Sequence, residues 1–285
     1  MNSRPVFLIA VPRTLHLIEL CLRNLPRGSG VQIIENGLTS DERGFLSREF
    51  PTVRRFKLRP LPGQLYSHGS VVTFLARTLE RPFLILDHDC FPADDDLLQG
   101  LEPGSKDVAV GLALEGFVDV NSKTGLRFPR THFLLLEPSR LRALMARHEI
   151  HLDKYTATPN SVANLLATIG IGDHNFPRPY QANYDTLLLA FAVAIAEGKS
   201  IQLRETSATA IHHVGGTSWV RHPHMDFVHL RLLELTRDPE AHARALGLEG
   251  RSSDRAREAL PPEVRASRLV QEVDRAAEML KQKLH

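Results

Sequence analysis

The sequence predicts an α/β fold: an open, twisted, mostly parallel sheet flanked by helices, with a helical C-terminal extension. Three observations lead there. Short apolar runs alternate with segments of helical apolar spacing through the first 90 residues. Those runs close on Pro, Gly or acidic residues, as buried strands do where they leave a sheet. The last 60 residues are charged and carry a narrow apolar stripe at spacings of three and four. Strands and helices alternating in this way imply right-handed βαβ units.

Val6 to Val11 is an apolar run closed by Pro12, a first strand. Leu15, Ile18, Leu22 and Leu25 stand at helical spacing before Pro26 and Gly28 stop the segment. "VQIIENG" is a second strand ending in a polar turn, and Ser40, followed by Asp41 and Glu42, opens a short helix around Phe45, Leu46 and Phe50. "RRFKLRPL" is a weaker third strand. Residues 68–80 form a helix with Val71, Val72, Leu75 and Leu79 inward, and Phe83 to Leu86 is the next strand. Past residue 92 the pattern changes. Asp94, Asp95 and Asp96 read as a helix N-terminus, where carboxylates cap free amides and suit the dipole. "DVAVGLALEG" and "THFLLLEP" are strands on either side of the turn "NSKTG", and Ser139 to His148 is a helix. Residues 150–182, rich in Asn, Pro and Gly, read as loop over a site. Residues 184–197 form a strongly apolar helix ended by Gly198, with "SIQLRE" as the following strand. Val270, Val273, Ala277, Leu280 and Leu284 form the C-terminal stripe. Packing back on the domain is its first reading; it also allows a homodimer or peripheral contact with a membrane.

Composition removes several classes. The 285 residues suffice for one large α/β domain or two small ones. A net charge of +2 gives no electrostatic basis for binding nucleic acid, and 6% aromatics give no base-stacking surface. Two cysteines, Cys21 and Cys90, form no disulfide framework, which fits a reducing compartment. Cys90 reads as a small buried hydrophobe. The chain has no apolar run of the roughly 18 residues that a membrane span needs. "MNSRPVFLIAVPRT" reads as a strand rather than a signal peptide. The expectation is a cytoplasmic protein, compatible with peripheral membrane contact.

The chemistry concentrates in "RPFLILDHDCFP", residues 81–92. A buried strand ends in Asp87, His88 and Asp89. Carboxylate oxygens are hard ligands suited to Mg²⁺ or Mn²⁺, and strand ends are where open α/β sheets bind ligands. A surface turn is the competing reading of the pair.

Read together with its neighbours, the Asp-x-Asp resembles the nucleotide-sugar domain of GT-A-fold glycosyltransferases, a Rossmann-type architecture, and in particular their inverting family-two-like group. "VPRT" resembles that family's first strand and Pro-containing loop, and "VQIIENGLTSDE" its second strand. "SHGSVVTFLARTLERPFLILDHD" resembles the helix and strand that carry the Asp-x-Asp. "NYDTLLLAFAVAIAEGKSIQL" resembles the segment where an acid opens a helix, and "AIHHVGGTSW" the His-containing loop over the diphosphate. The resemblance spans about residues 5–220. It departs from the family at Glu35, where Asp is commoner, at Asn36, which replaces an acid, and at Tyr184, where an acid often precedes the base.

The resemblance implies a metal-dependent glycosyltransferase of hexosyltransferase type. Its donor would be a nucleotide-diphosphate sugar, UDP or GDP type, and its acceptor a glycan, lipid-linked or small-molecule hydroxyl. Mn²⁺ or Mg²⁺ would be held by Asp87, Asp89 and His213, with His212 as the weaker choice. The nucleotide sugar would meet Pro12, Glu35, Asn36, Asp87, His88 and Gly215. Asp185 would be the catalytic base of an inverting reaction; a simple helix cap is its other reading. His213 has a plain loop-histidine reading. Gly215 and Gly216 suit a loop that approaches phosphate closely, while Trp219 either closes over the acceptor or lies in the core. Arg127 and Arg130 read as solvated arginines or as anion contacts. The implied layout is a catalytic domain over 1–225, with a nucleotide-binding half 1–92 and an acceptor-binding half 93–225, then a helical extension over 226–285.

Three other readings stay open. A nucleotidyltransferase would also use acidic metal ligands, but "AVPRTLHLIE" lacks the Gly cluster such enzymes carry after the first strand. A metallohydrolase would combine Asp87 and Asp89 with His212, His213, His222 and His224. A degenerate GT-A domain would serve as a binding or scaffolding subunit.

Overall fold

The computed structural model describes residues 4–26, 28–61, 64–121, 123–173, 184–215 and 225–284. In chain order the elements are β1 (Val6–Ala10), α1 (Leu15–Asn24), β2 (Val31–Asn36), α2 (Ser40–Glu49), β3 (Arg54–Leu58), α3 (His68–Thr78), β4 (Phe83–Leu86), β5 (Cys90–Pro92), β6 (Asp107–Leu112), β7 (Val118–Val120), β8 (Arg127–Pro129) and β9 (Phe133–Leu136). They continue with α4 (Pro138–His148), α5 (Asn160–Ala167), α6 (Leu188–Ala196), β10 (Ser200–Arg204), β11 (Ile211–His213), α7 (Met225–Leu233), α8 (Pro239–Leu246), α9 (Ser253–Glu258), α10 (Pro262–Arg265) and α11 (Arg268–Leu284). The α/β class holds: a seven-stranded sheet runs in the order β10-β6-β9-β4-β1-β2-β3. The pairs β10–β6 and β2–β3 are parallel, while β9 lies antiparallel to both β4 and β6. Separate two-stranded ribbons join β11 to β5 and β7 to β8.

Two compact units divide the chain. The first is Met1–Phe7, Gln64–Leu86 and Leu98–Ala208. In it α6 is buried nearly all round, from Leu188 to Ala194, which explains an apolar helix with no polar face. That helix begins at Leu188, later than the sequence pattern suggests. The turn before it places Leu187 in the left-handed region at φ 68°. Tyr184 is fully buried, and its hydroxyl shares a hydrogen bond with Thr158 Oγ1 at 2.7 Å. Packing therefore accounts for a tyrosine at the position where the resemblance leads one to expect an acid.

The second unit is Leu8–Gly63, Asp87–Leu97 and Thr209–His285. Here α2 starts with a capping box: Thr39 accepts from the Glu42 N–H, and Glu42 accepts from the Thr39 N–H. Asp94, Asp95 and Asp96 introduce only one 3₁₀ turn, Asp95–Leu98, in which the Asp96 N–H donates to Asp94 Oδ1 at 2.9 Å. The C-terminal stripe turns inward. Val270, Val273, Ala277 and Leu280 are buried as α11 packs on α1, α7 and β11. Each buried Val or Leu among them contributes roughly 1.5–3 kcal/mol.

A polar network lies inside this unit. His16 Nε2 and His229 Nδ1 share a hydrogen bond at 2.9 Å. Glu19, fully buried, accepts from His242 Nε2 (2.9 Å) and from the Arg237 N–H (2.8 Å), and Arg23 lies 3.2 Å away. Burial raises Glu19, but these hydrogen bonds outweigh it and hold the carboxyl below its ordinary value. Burial, and then the neighbouring His229, His242 and His88, hold His16 well below an ordinary imidazole. The network joins α1 to α7 and α8.

Candidate functional site

In the second unit, the residues after β4 make a tight turn, in which the Cys90 N–H donates to the Asp87 carbonyl at 3.0 Å. Asp87 is half-buried; His88 and Asp89 are buried. The His88 Nδ1–H donates to the Ile9 carbonyl of β1 at 3.2 Å, so this ring is used to tie the turn to the first strand. Directly after the turn, β5 pairs with β11 antiparallel, with His213 opposite Cys90 and His212 opposite Phe91. The pairing continues through the Val214 N–H, which donates to the Asp89 carbonyl at 3.1 Å. This register brings His213 Nε2 to 3.5 Å from Asp89 Oδ1, across a long stretch of sequence.

Successive side chains of a strand alternate. His212 therefore faces away from Asp89, and its Nδ1 meets Glu272 of α11 at 2.9 Å. Asp89, Cys90 and His213 offer ligand atoms that all lie within 4.8 Å of one another. Cys90 is fully buried, and burial followed by the charges of Asp89 and Asp87 pushes its thiol well above the ordinary value. The Cys21 thiol donates to the Cys90 carbonyl at 3.5 Å. Both cysteines are free and buried, as small hydrophobes would be. Gly215 closes the corner. Its φ of +62° suits glycine, and a Cβ there would sit 3.3 Å from His213 Cε1.

The expected nucleotide contacts belong to the same unit. Pro12 is half-buried in the turn after β1. Arg13 beside it has φ 69°, a left-handed backbone. Its N–H donates to Glu42 Oε1 at 2.7 Å, and its guanidinium donates to the Leu246 carbonyl at 3.1 Å. Glu35 and Asn36 are buried at the end of β2, and Arg55 of the neighbouring β3 lies 3.4 Å from Glu35. Nothing in the sequence pattern singles out Arg55; parallel pairing of β2 and β3 makes the contact.

Asp185 lies in the first unit, with its side chain about half exposed. Its Oδ1 accepts from the Thr186 N–H at 2.9 Å, and Lys154 Nζ stands 3.6 Å away. It does not cap α6, whose N-cap is Leu187 without a side-chain hydrogen bond. Lys154 carries no sequence signal, because it lies in a stretch read simply as loop. Arg130 pairs with Asp119 at 2.9 Å, and Arg127 is exposed in β8. Gly216, Trp219, His222 and His224 lie outside the described residues.

Residues 2–141 match the family described as the StrH glycosyltransferase N-terminal domain. No curated protein matches. Among solved structures, one similar chain is a galactosyltransferase LgtC in complex with donor and acceptor sugar analogs. It is 10% identical with a TM-score of 0.46, over 92% of this chain and 99% of that one. An active-site mutant of LgtC is 11% identical with a TM-score of 0.38, over 49% and 59% of the two chains. The bifunctional glycosyltransferase WbbM is 11% identical with a TM-score of 0.36, over 52% and 34%. In these last two the match spans less than two thirds of the other protein. Residues 2–141 are thus similar to a glycosyltransferase N-terminal domain, in line with the glycosyltransferase resemblance drawn from the sequence.

Proposed function

We propose that the chain is a metal-dependent glycosyltransferase of hexosyl type, which moves a sugar from a UDP- or GDP-type donor to an acceptor hydroxyl with inversion. The observation that carries this reading is the approach of His213 Nε2 to Asp89 Oδ1 at 3.5 Å, beside a strand-end turn that also presents Asp87. Asp87, Asp89 and His213 would hold Mn²⁺ or Mg²⁺; carboxylate oxygens suit both, and the imidazole suits the transition metal better. Such a cation, when bound, supplies Lewis-acid stabilisation of the charge that builds on the leaving diphosphate.

The chain's own residues account for the rest. Pro12, Glu35, Asn36, His88 and Gly215 orient the donor, with Arg55 fixing the Glu35 carboxylate. In the transfer, the bond between the anomeric carbon and the phosphate oxygen breaks and a bond to the acceptor oxygen forms. Asp185 takes the proton that the acceptor hydroxyl loses. A glycan, lipid-linked or small-molecule acceptor would satisfy this chemistry. The metallohydrolase reading is less well supported, because His212 is engaged by Glu272 on the opposite side of its strand from His213.

The test is thermal unfolding with UDP, GDP, CDP and dTDP, each with and without Mn²⁺. A ligand that binds only the folded chain raises its Tm by mass action. A metal-dependent rise that is lost in Asp89→Ala supports the site, and no rise with any pair overturns it. Asp185→Asn should keep the nucleotide response and lose roughly 10²–10⁴-fold in transfer rate. Retained transfer would remove Asp185 as the base.

A further inference from the structure

In the first unit, the segment 151–155 grips the turn that carries Asp185. The Tyr155 N–H donates to the Tyr184 carbonyl at 2.9 Å, and the Tyr184 N–H returns the bond to the Tyr155 carbonyl at 3.0 Å. The Leu187 N–H donates to the Leu152 carbonyl at 2.9 Å, which holds Leu187 in its left-handed conformation. Lys154 adds its ammonium at 3.6 Å from the Asp185 carboxylate. A non-glycine residue at positive φ persists only where its surroundings impose it.

The segment is in turn locked to the first turn of α3. Asp153 Oδ2 accepts from the hydroxyls of Ser67 and Ser70, the second at 3.1 Å. Ser67 is the N-cap of α3 and also accepts from the Ser70 N–H. Asp153 Oδ1 accepts from the Lys154 N–H at 2.8 Å. Gly69 leaves the room for this docking: a Cβ there would collide with the Asp153 Cα and lie 2.8 Å from its Cβ. Leu152 is fixed beside it, its N–H donating to Thr73 Oγ1 at 3.2 Å. Burial raises Asp153, but the bonds from Ser67, Lys154 and Ser70 outweigh it and hold the carboxyl below its ordinary value.

We propose that Asp153 is a positioning residue: docked on Ser67, Gly69 and Ser70, it sets the 151–155 segment that holds the Asp185 turn in place. The inference rests on the reading of Asp185 as the base, but the latch itself is a property of the fold. It gives the "SHGS" stretch, residues 67–70, a role that the donor site does not require.

Amide hydrogen exchange on the full chain tests the latch without any ligand. In Asp153→Ala the Tyr155, Tyr184 and Leu187 amides should exchange at least about tenfold faster, while the β4 and β9 amides keep their protection. Unchanged protection at those three amides overturns the proposal, and so does uniform loss across the unit, which would mark Asp153 as a general stabiliser. Gly69→Ala, acting from the other side of the contact, should release the same three amides. With the nucleotide sugar that the chain turns over, Asp153→Asn should lower kcat about tenfold at unchanged donor KM. Loss confined to donor KM counts against the positioning role. Full transfer by Asp185→Asn sinks the base reading instead, and with it the catalytic part of the proposal, while the exchange result decides the latch separately.

Discussion

Lowering the pH from 7.5 to 5.5 should weaken the second unit through its buried histidines. Burial pushes His229 from 6.5 down to about 4, and His16 is displaced in the same direction. His229 also feels Asp226 and Asp89, which favour its charged form, and His88 and Arg13, which oppose it. His16 faces His229, His242 and His88. A base whose folded value is depressed binds its proton more readily in the unfolded chain. Its stabilisation is therefore complete above 6.5 and is lost as pH falls towards the folded value. For His229 the whole loss is roughly 3 kcal/mol, of which about 1 kcal/mol is gone by pH 5.5. His16 adds to it. Geometry agrees with the sign, since the 2.9 Å bond between the two rings needs one nitrogen without a proton. Urea unfolding followed by far-ultraviolet circular dichroism at pH 7.5, 6.5 and 5.5 measures the slope. His229→Leu should flatten it by about 1 kcal/mol over that interval. Equal stability of the native chain at the two extremes, or an unchanged slope in His229→Leu, would refute the reasoning.

Gly215→Ala should weaken Mn²⁺ binding about tenfold, read by calorimetric titration, because the new methyl crowds the His213 ring; its cost in stability should stay near 1 kcal/mol. Glu19→Gln should destabilise the chain by about 2–4 kcal/mol in urea, since it removes the charge that meets His242 and Arg23 in a buried setting. Leu280→Ala should cost about 2–4 kcal/mol by thermal unfolding, with no effect on activity per folded molecule, because Leu280 is fully buried in α11.

The sheet was legible because each strand carries its own local signal. Phe83 to Leu86 is apolar throughout and ends on an aspartate, which suffices to place a buried strand and a polar edge. The antiparallel placement of β9 was not legible, since "THFLLLEP" has the same apolar pattern in either direction. Asp87 and Asp89 stand out as a pair after a buried strand, but their order among the neighbouring segments, not the pair alone, points to a nucleotide-sugar site. His213 could be preferred to His212 only by resemblance, because the choice depends on the register of β11 against β5. Lys154 and Asp153 had no local pattern at all. Their meaning comes from Gly69, Ser67 and Ser70, far away in sequence, and a contact of that kind leaves no periodicity to read.

The C-terminal helices acquire a purpose from the same geometry. The strand that directly follows Asp89 and the one that carries His213 form a ribbon of only three residues each, too short to be stable alone. Both are held from α11. Glu272 takes the Nδ1 of His212, on the face of β11 opposite His213, and Lys283 Nζ donates to the carbonyls of Pro92 and Ala93 at 3.3 and 3.2 Å. Burial raises Glu272, but the His212 bond outweighs it and keeps the carboxyl below its ordinary value, so the support is charged at neutral pH. His212, the histidine that does not approach Asp89, is then what fixes the one that does. The adjacent pair reads as one device: one imidazole anchors the strand to the helix, and the alternation of side chains delivers the other to the aspartate.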